Sequence, residues 1–502
     1  MKLKHIRVAR LLDRTQLKMA FVLANILGAV INQPSAHAAP AGAAKPNILV
    51  IVADDLGYGD LGFHGGKDVP TPNLDRLASD GVRLTDGYVS CPVCSPTRAG
   101  LSTGRYQQRF GYEFNLGQQQ TKAGTPVGLP LSETTLASAL KQAGYHTAVV
   151  GKWHLGSADG YRPLQRGFDE FYGFLGGAHP YVVAKGKSAA QANQGPQGKK
   201  NHPGNNPQPI FRGEERVEFP EHLTSAFGNE AAAFVKKKKD KPFFLFLTFN
   251  AVHNPLQPDA EHAARFENIK DPKRRAYAGL LSGLDDAVGT VLSALRESGQ
   301  EEETLVFFIS DNGGPQQGNG SNNAPLTGDK GSVREGGIRV PYVVQWKGKL
   351  PAGATYSQPA ISLDIAATAA AVGGAKLGGE GREVDGVNLL PYLLGEAKGA
   401  PHESLFWRFG PQRAVRQGNF KLIQTADQEV RLYDVVADKA ESKDLATTHP
   451  DIVAQLDKAY DQWNAELADP LWGRGKRQGG RRARQNAALK ASASAEAEPV
   501  LK

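Results

Sequence analysis

NILVIVADD, residues 47–55, is a continuous apolar run rich in β-branched residues that breaks abruptly into two carboxylates. Such a run fits a strand buried on both faces, because a sheet covered by helices on each side leaves no polar face to alternate with. Three more runs share the character: HTAVVG (146–151), FFLFLTF (243–249) and TLVFFIS (304–310). Helical signals separate them. Asn73 stands as a cap before LDRLASDG, the segment SETTLASALKQAG is amphipathic and ends on glycine, and YAGLLSGLDDAVGTVLSALRESG carries apolar residues at helical spacing. Strands alternating with helices predict an α/β sandwich for the main body.

In open α/β sheets ligands collect beyond the carboxyl ends of the strands, so the residues that succeed each run are the first candidates for chemistry. Asp54 and Asp55 succeed the first run, Lys152 and His154 the second, Asn250 and His253 the third, Asp311 and Asn312 the fourth. An Asp-Asp pair alone is an ordinary turn. Combined with Asp311-Asn312 at the end of another buried strand, it makes a hard-oxygen set suited to Ca2+ or Mg2+ rather than Zn2+, since adjacent carboxylates repel unless a cation sits between them.

CPVCSPTRAGLSTGR, residues 91–105, contains both cysteines of the chain, Cys91 and Cys94. A CxxC pair reads as a dithiol switch, a disulfide or half a metal site, although a loop this small constrains little of an unfolded chain. The residues after Cys94 point elsewhere. Pro96 suits the first turn of a helix, which places Cys94 or Ser95 at a helix N-terminus, where free N–H groups and the dipole favour an anion. With Arg98 and a cation nearby, the segment makes a cradle for a tetrahedral oxyanion.

CSPTRAGLSTGR (94–105) resembles the signature of type I sulfatases: Cys or Ser, any residue, Pro, any residue, Arg, then a Leu-x-Thr-Gly-Arg ending. Further matches are GYHTAVVGKWHLG (144–156), VHNP (252–255), SDNGG (310–314) and GDKGSVREGGIRVP (328–341), and the resemblance spans residues 45–467. It implies an alkaline phosphatase-like fold: a large mixed, mostly parallel sheet sandwiched by helices, with a small C-terminal antiparallel sheet plus helix.

It also implies a maturation enzyme that oxidises Cys94 to Cα-formylglycine, leaving Cys91 a bystander. Asp54, Asp55, Asp311 and Asn312, with the oxygen of modified Cys94, would hold the cation, Ca2+ with Mg2+ as the alternative. Arg98 and Lys152 would stabilise the formylglycine hydrate and the sulfate charge. His154, His253 and Lys330 would complete the pocket and move protons, with His253 or Lys330 protonating the leaving alcohol and His154 acting as base. Taken singly, each of these side chains is an ordinary structural or solvated residue; their places in matching motifs carry the assignment.

The formal charge of +8 is modest for 502 residues and much of it lies at the chain ends, so it says little for nucleic acid; no nucleic-acid partner is expected, and an anionic substrate is the better use for local positive charge. Residues 1–38 read as a signal peptide: a basic lead-in, the apolar run MAFVLANILGAVI and the small-residue site Ala36-His37-Ala38. That predicts a periplasmic or secreted protein with no stable membrane span after cleavage. The expected organisation is a linker at 39–45, a catalytic domain at 46–400, a C-terminal subdomain at 401–468, and a disordered basic, Ala-rich tail at 469–502. In the C-terminal subdomain Ile452, Leu456 and Trp463 recur at helical spacing.

Other segments say less. Residues 185–213 read as a long surface loop and KKKK at 236–239 as a solvated helix end. In FYGFLGGAHPYV (171–182) the aromatics and His179 fit sugar stacking and ordinary packing equally. The expected activity is hydrolysis of sulfate monoesters of carbohydrate or aryl alcohols. The alternatives are phosphate or phosphonate ester hydrolysis on the same fold, a CxxC thiol redox protein, and a sulfoglycan-binding protein whose cysteine is never matured.

Overall fold

The computed structural model describes residues 45–117, 127–182, 209–219, 221–237 and 240–473. The expected signal peptide, most of the 185–213 loop and the tail beyond 473 lie outside the described residues.

The strands of the main body are β1 (Asn47–Ala53), β2 (Val82–Leu84), β3 (Gly87–Tyr88), β4 (His146–Lys152), β5 (Glu170–Phe174), β6 (Ile210–Arg212), β7 (Glu215–Val217), β8 (Phe243–Thr248), β9 (Thr304–Ser310), β10 (Tyr342–Gln345), β11 (Ala354–Tyr356) and β12 (Ala360–Ile361). Ten form one sheet in the order β11-β2-β10-β9-β1-β8-β4-β5-β6-β7, while β3 and β12 pair separately. The four apolar runs are the adjacent parallel strands β9-β1-β8-β4 at its centre. Antiparallel pairs flank them, β10 with β9 and β2 on one side and β6 with β5 and β7 on the other, so the sheet is mixed and mostly parallel.

Along β1 the pleat divides one apolar run between two cores. Ile48, Val50 and Val52 join Ala99, Leu101, Leu140 and Ile365 on one face. Leu49, Ile51 and Ala53 join Leu74, Phe227 and Leu284 on the other. Helices Cys94–Thr103, Leu136–Gln142 and Leu363–Gly373 thus cover the first face, and helices Pro72–Ser79, Leu223–Lys236 and Pro272–Glu297 the second. Pro272–Glu297 is long and apolar enough to cross a bilayer but is largely buried against this second core.

The C-terminal part is an antiparallel meander of β13 (Ser404–Phe409), β14 (Gln412–Gln417), β15 (Phe420–Gln424) and β16 (Val430–Asp434), followed by helix Pro450–Ala465. Trp463 on that helix stacks on Phe406 at 5.1 Å and meets Tyr106 of the main body edge-on at 5.2 Å. A buried charge network also crosses the junction. Lys421 on β15 lies 2.8 Å from Glu335 and 3.0 Å from Glu441, and Arg416 on β14 lies 3.1 Å from Asp86. Arg339 bridges Asp86 and Glu335 at 2.5 and 3.1 Å.

Four expectations change. Asn73 is not a cap: Thr71 precedes the helix, and the N–H groups of Asn73 and Leu74 are capped from across the core by the Asp285 carboxylate at 3.1 and 2.8 Å. His179 is buried among Phe174 and Phe219, so it packs rather than faces a sugar. Ile210–Arg212, the end of the expected loop, is strand β6. Residues 469–473, expected in the tail, lie on the body: Trp472 is buried edge-on to Tyr112 and donates its indole N–H to the Phe114 carbonyl at 3.0 Å.

Candidate active site

Strand register assembles the site. Ala53 pairs with Ser310, so Asp54 and Asp311 leave neighbouring parallel strands side by side. On the other flank β8 pairs with β1 and with β4, which brings Lys152 to the same edge. β4 approaches so closely that a Cβ on Gly151 would fall 1.9 Å from the Thr248 carbonyl oxygen, and with φ at +116° only glycine fits there.

The Cys94–Thr103 helix brings the remaining groups over that edge. Val93, in extended conformation, precedes it, and Gly104 in the left-handed region ends it by donating to Gly100 O, the structural use of the Thr-Gly-Arg ending. Pro96 sits in the first turn, as expected. The Ser95 N–H is taken by the Asn115 side chain at 2.9 Å, and the Ser95 hydroxyl donates to His154 O at 2.7 Å.

Asp54, Asp55, Cys94, Arg98, Lys152, His154, Asp311 and Asn312 are all buried. Lys152 Nζ contacts Asp54 at 2.5 Å, Lys330 Nζ contacts Asp55 at 2.6 Å, and Arg98 contacts Asp311 through Nε and Nη2 at 2.9 and 2.7 Å. The Cys94 Sγ lies 3.6 Å from Asp54 Oδ1 and 3.2 Å from Lys330 Nζ. One ligating atom each from Asp54, Asp55, Cys94 and His253 falls within 4.8 Å of the others. Asn312 donates to Asp55 at 2.7 Å, while its buried Oδ1 has no hydrogen-bond partner among the described residues.

Burial raises the carboxyl pKa of Asp54 and Asp55, but the ammonium groups of Lys152 and Lys330 respectively, with His253, outweigh it and both acids end below their usual value. The same burial pushes the Cys94 thiol up to about 12 in spite of the two lysines, so the thiol stays protonated at neutral pH. His154 is driven well below the ordinary histidine range by burial and by Lys152. Its Nε2 lies 3.1 Å from the Leu116 carbonyl, to which it donates when that nitrogen carries the proton, leaving buried Nδ1 an acceptor with no partner among the described residues. Asp55 and His154 both hold positive φ, 63° and 58°, an uncommon backbone for these residues that clusters at functional sites.

The structure therefore brings every predicted site residue to one edge. The two cysteines are not bonded to each other and have different partners: buried Cys91 faces the Glu113 carbonyl at 3.9 Å, whereas Cys94 faces Asp54 and Lys330. Asn115 and Leu116 were not legible as site residues, because nothing in EFNLG marks them; they reach the site through the chain path after the Cys94 helix.

The sulfatase family model matches residues 46–375. Steryl-sulfatase of Mus musculus is 36% identical, over 77% of this chain and 70% of its own length. N-acetylgalactosamine-6-sulfatase of Canis lupus familiaris is 34% identical, over 76% of this chain and 72% of its own. The crystal structure of Ps i-CgsB in complex with k-i-k-neocarrahexaose superimposes with a TM-score of 0.80 at 37% identity, covering 88% of this chain and 98% of that one.

Proposed function

We propose, from the premise that this chain belongs to the sulfatase family and is a sulfuric ester hydrolase, that it removes sulfate from sulfated carbohydrate through a formylglycine formed at Cys94. The observation that carries the proposal is the placement of Cys94: at the start of a helix, 3.2 Å from Lys330 Nζ and grouped with Asp54, Asp55 and His253. The thiol itself, buried and protonated, is a poor nucleophile in this setting. A hydrated aldehyde at the position supplies an oxygen nucleophile and, through its second hydroxyl, a way to expel sulfate afterwards.

Asp54, Asp55, Asp311 and Asn312 suit a divalent cation, calcium in this reading, because three carboxylates are buried together at the strand ends and the buried Asn312 Oδ1 beside them has no hydrogen-bond partner among the described residues. Such a cation would supply fixed positive charge beside the reacting oxygens. Among the described residues these carboxylates are balanced by Lys152, Lys330 and Arg98; added divalent charge turns the site net positive, which suits a sulfate anion.

Of the predicted site side chains, His253 and Lys330 remain partly exposed, at 20% and 17%, so substrate enters over them. That position supports placing them at the leaving oxygen, where one gives a proton as the S–O bond breaks. Lys152 and Arg98, deeper, hold the sulfate charge. His154, neutral and with no partner on Nδ1 among the described residues, is the base that takes a proton as sulfate departs. Carbohydrate is favoured as the alcohol because the superimposable Ps i-CgsB structure holds an oligosaccharide and relatives act on N-acetylgalactosamine-6-sulfate, as their names state. The proposal also includes export, on the residues 1–38 pattern, and a formylglycine-generating partner.

The test is mass spectrometry of the Cys94 peptide from the active protein, with turnover compared on paired sulfate and phosphate esters. A formylglycine mass and preference for sulfate are expected. An intact thiol in fully active enzyme would refute the formylglycine, and preference for the phosphate ester would refute the sulfatase chemistry.

A further inference from the structure

We infer that Gln412, in the C-terminal sheet, is a positioning residue for Lys330, so that the small subdomain is part of the catalytic apparatus rather than an appendage. The inference rests on the role proposed above for Lys330.

Lys330 lies in an irregular segment between Leu326 and the short helix Glu335–Ile338. Two left-handed glycines, Gly328 and Gly331, flank it, so the local backbone has no periodic hydrogen bonding to fix the lysine. Its side chain, with four rotatable bonds, reaches Asp55 and Cys94 only if the Cα is held in place, and holding it costs conformational entropy that other contacts must offset. The main body supplies part of the restraint: Gly331 N donates to Pro92 O at 2.9 Å and Asn323 Nδ2 to Gly328 O at 3.1 Å.

Local turns add to it, Ser332 N donating to Asp329 O at 2.9 Å, and a further restraint comes from the C-terminal sheet. Gln412, the first residue of β14, donates through Nε2 to Gly331 O at 2.7 Å and accepts through Oε1 from Val333 N at 3.4 Å. One primary amide thus grips the backbone immediately after Lys330 at two points, with donor and acceptor matched to the peptide groups. The same segment is tied at both ends to the same subdomain: Thr327 Oγ1 donates to Ala440 O at 2.5 Å, and Glu335 is held by Lys421. Gln412 is only partly buried and its amide is engaged with the 330 segment rather than with Asp55, Cys94 or another group of the site; whatever it does for turnover it does through that segment.

A double-mutant cycle tests this in the full-length matured enzyme. Gln412→Ala is expected to lower kcat about tenfold with KM nearly unchanged, in line with the sensitivity of catalysis to small displacements of a catalytic group. Gln412→Glu, which keeps the length and the acceptor but loses the donor to Gly331 O, should fall between. In a Lys330→Ala background the same Gln412→Ala change should cost less than about twofold, because residues acting through one group are not additive. Loss should also be greater on an alkyl sulfate than on nitrophenyl sulfate for Gln412→Ala and Lys330→Ala alike, since a good leaving group needs no proton. Thermal melting of each variant controls for folding. An undiminished Gln412→Ala effect in an impaired Lys330→Ala enzyme, or wild-type kcat in a folded Gln412→Ala enzyme, overturns the positioning role. Full activity in Lys330→Ala would instead refute the role given to Lys330 and the inference with it.

Discussion

Replacing Lys421 with methionine should destabilise the protein by about 3–5 kcal/mol, because it leaves two buried carboxylates without their shared cation. Lys421, Glu335 and Glu441 are all buried, with the ammonium 2.8 and 3.0 Å from the two acids. Burial would raise the Glu335 pKa, but Lys421 first and then Arg339 and Arg416 bring it from 4.5 down to about 2. Its neighbour Glu441 moves the other way, raised above its usual value by burial in spite of Lys421, so the one ammonium is shared unequally between the two acids. A depressed folded pKa stabilises fully above the unfolded value and loses its effect as pH falls toward the folded one. The deficit of Lys421→Met relative to wild type should therefore be full at pH 7 and shrink below pH about 4.5. For a cooperative unit of this size, with an unfolding entropy of about 0.9 kcal/mol/K, the change amounts to roughly 3–5 °C in melting temperature. Differential scanning calorimetry at pH 7 and pH 4 reads both the size and the sign. A shift under about 1 °C at pH 7, or a deficit that grows on acidification, would refute the claim that the Lys421 cluster ties the C-terminal sheet to the body.

Cys94→Ala should abolish sulfate hydrolysis, whereas Cys91→Ala should retain most of it, since Cys91 faces the Glu113 carbonyl and not the carboxylate cluster; equal loss in both, measured on purified soluble enzyme, would return the dithiol reading. Asn312→Ala should raise the calcium concentration needed for half-maximal activity by about tenfold, through loss of one oxygen ligand, and titrating calcium into EDTA-treated protein checks it.

The central strands were legible because β1, β4, β8 and β9 are buried on both faces and so written as unbroken apolar runs. Their polar successors were legible as a site because a parallel sheet sends all carboxyl ends to one edge. The short strands at the sheet edges and the β6–β7 pair carry too little apolar pattern to stand out from loops. The cap of the Pro72–Ser79 helix was misread for a related reason: Asn73 has the right chemistry locally, but Asp285, far along the chain, supplies the acceptor.

The sequence by itself determined the family, the fold class and the set of residues gathered at the strand ends, since strand burial and motif spacing are local properties of the chain. It determined nothing about their support. The setting of His154, the contact of Cys91 with the Glu113 carbonyl, the Asn115 cap on the Cys94 helix and the grip of Gln412 and Lys421 on the Lys330 segment arise only when distant segments pack. Hydrogen bonds of that kind depend on distance and direction in space, and neither is written in the spacing of residues along the chain.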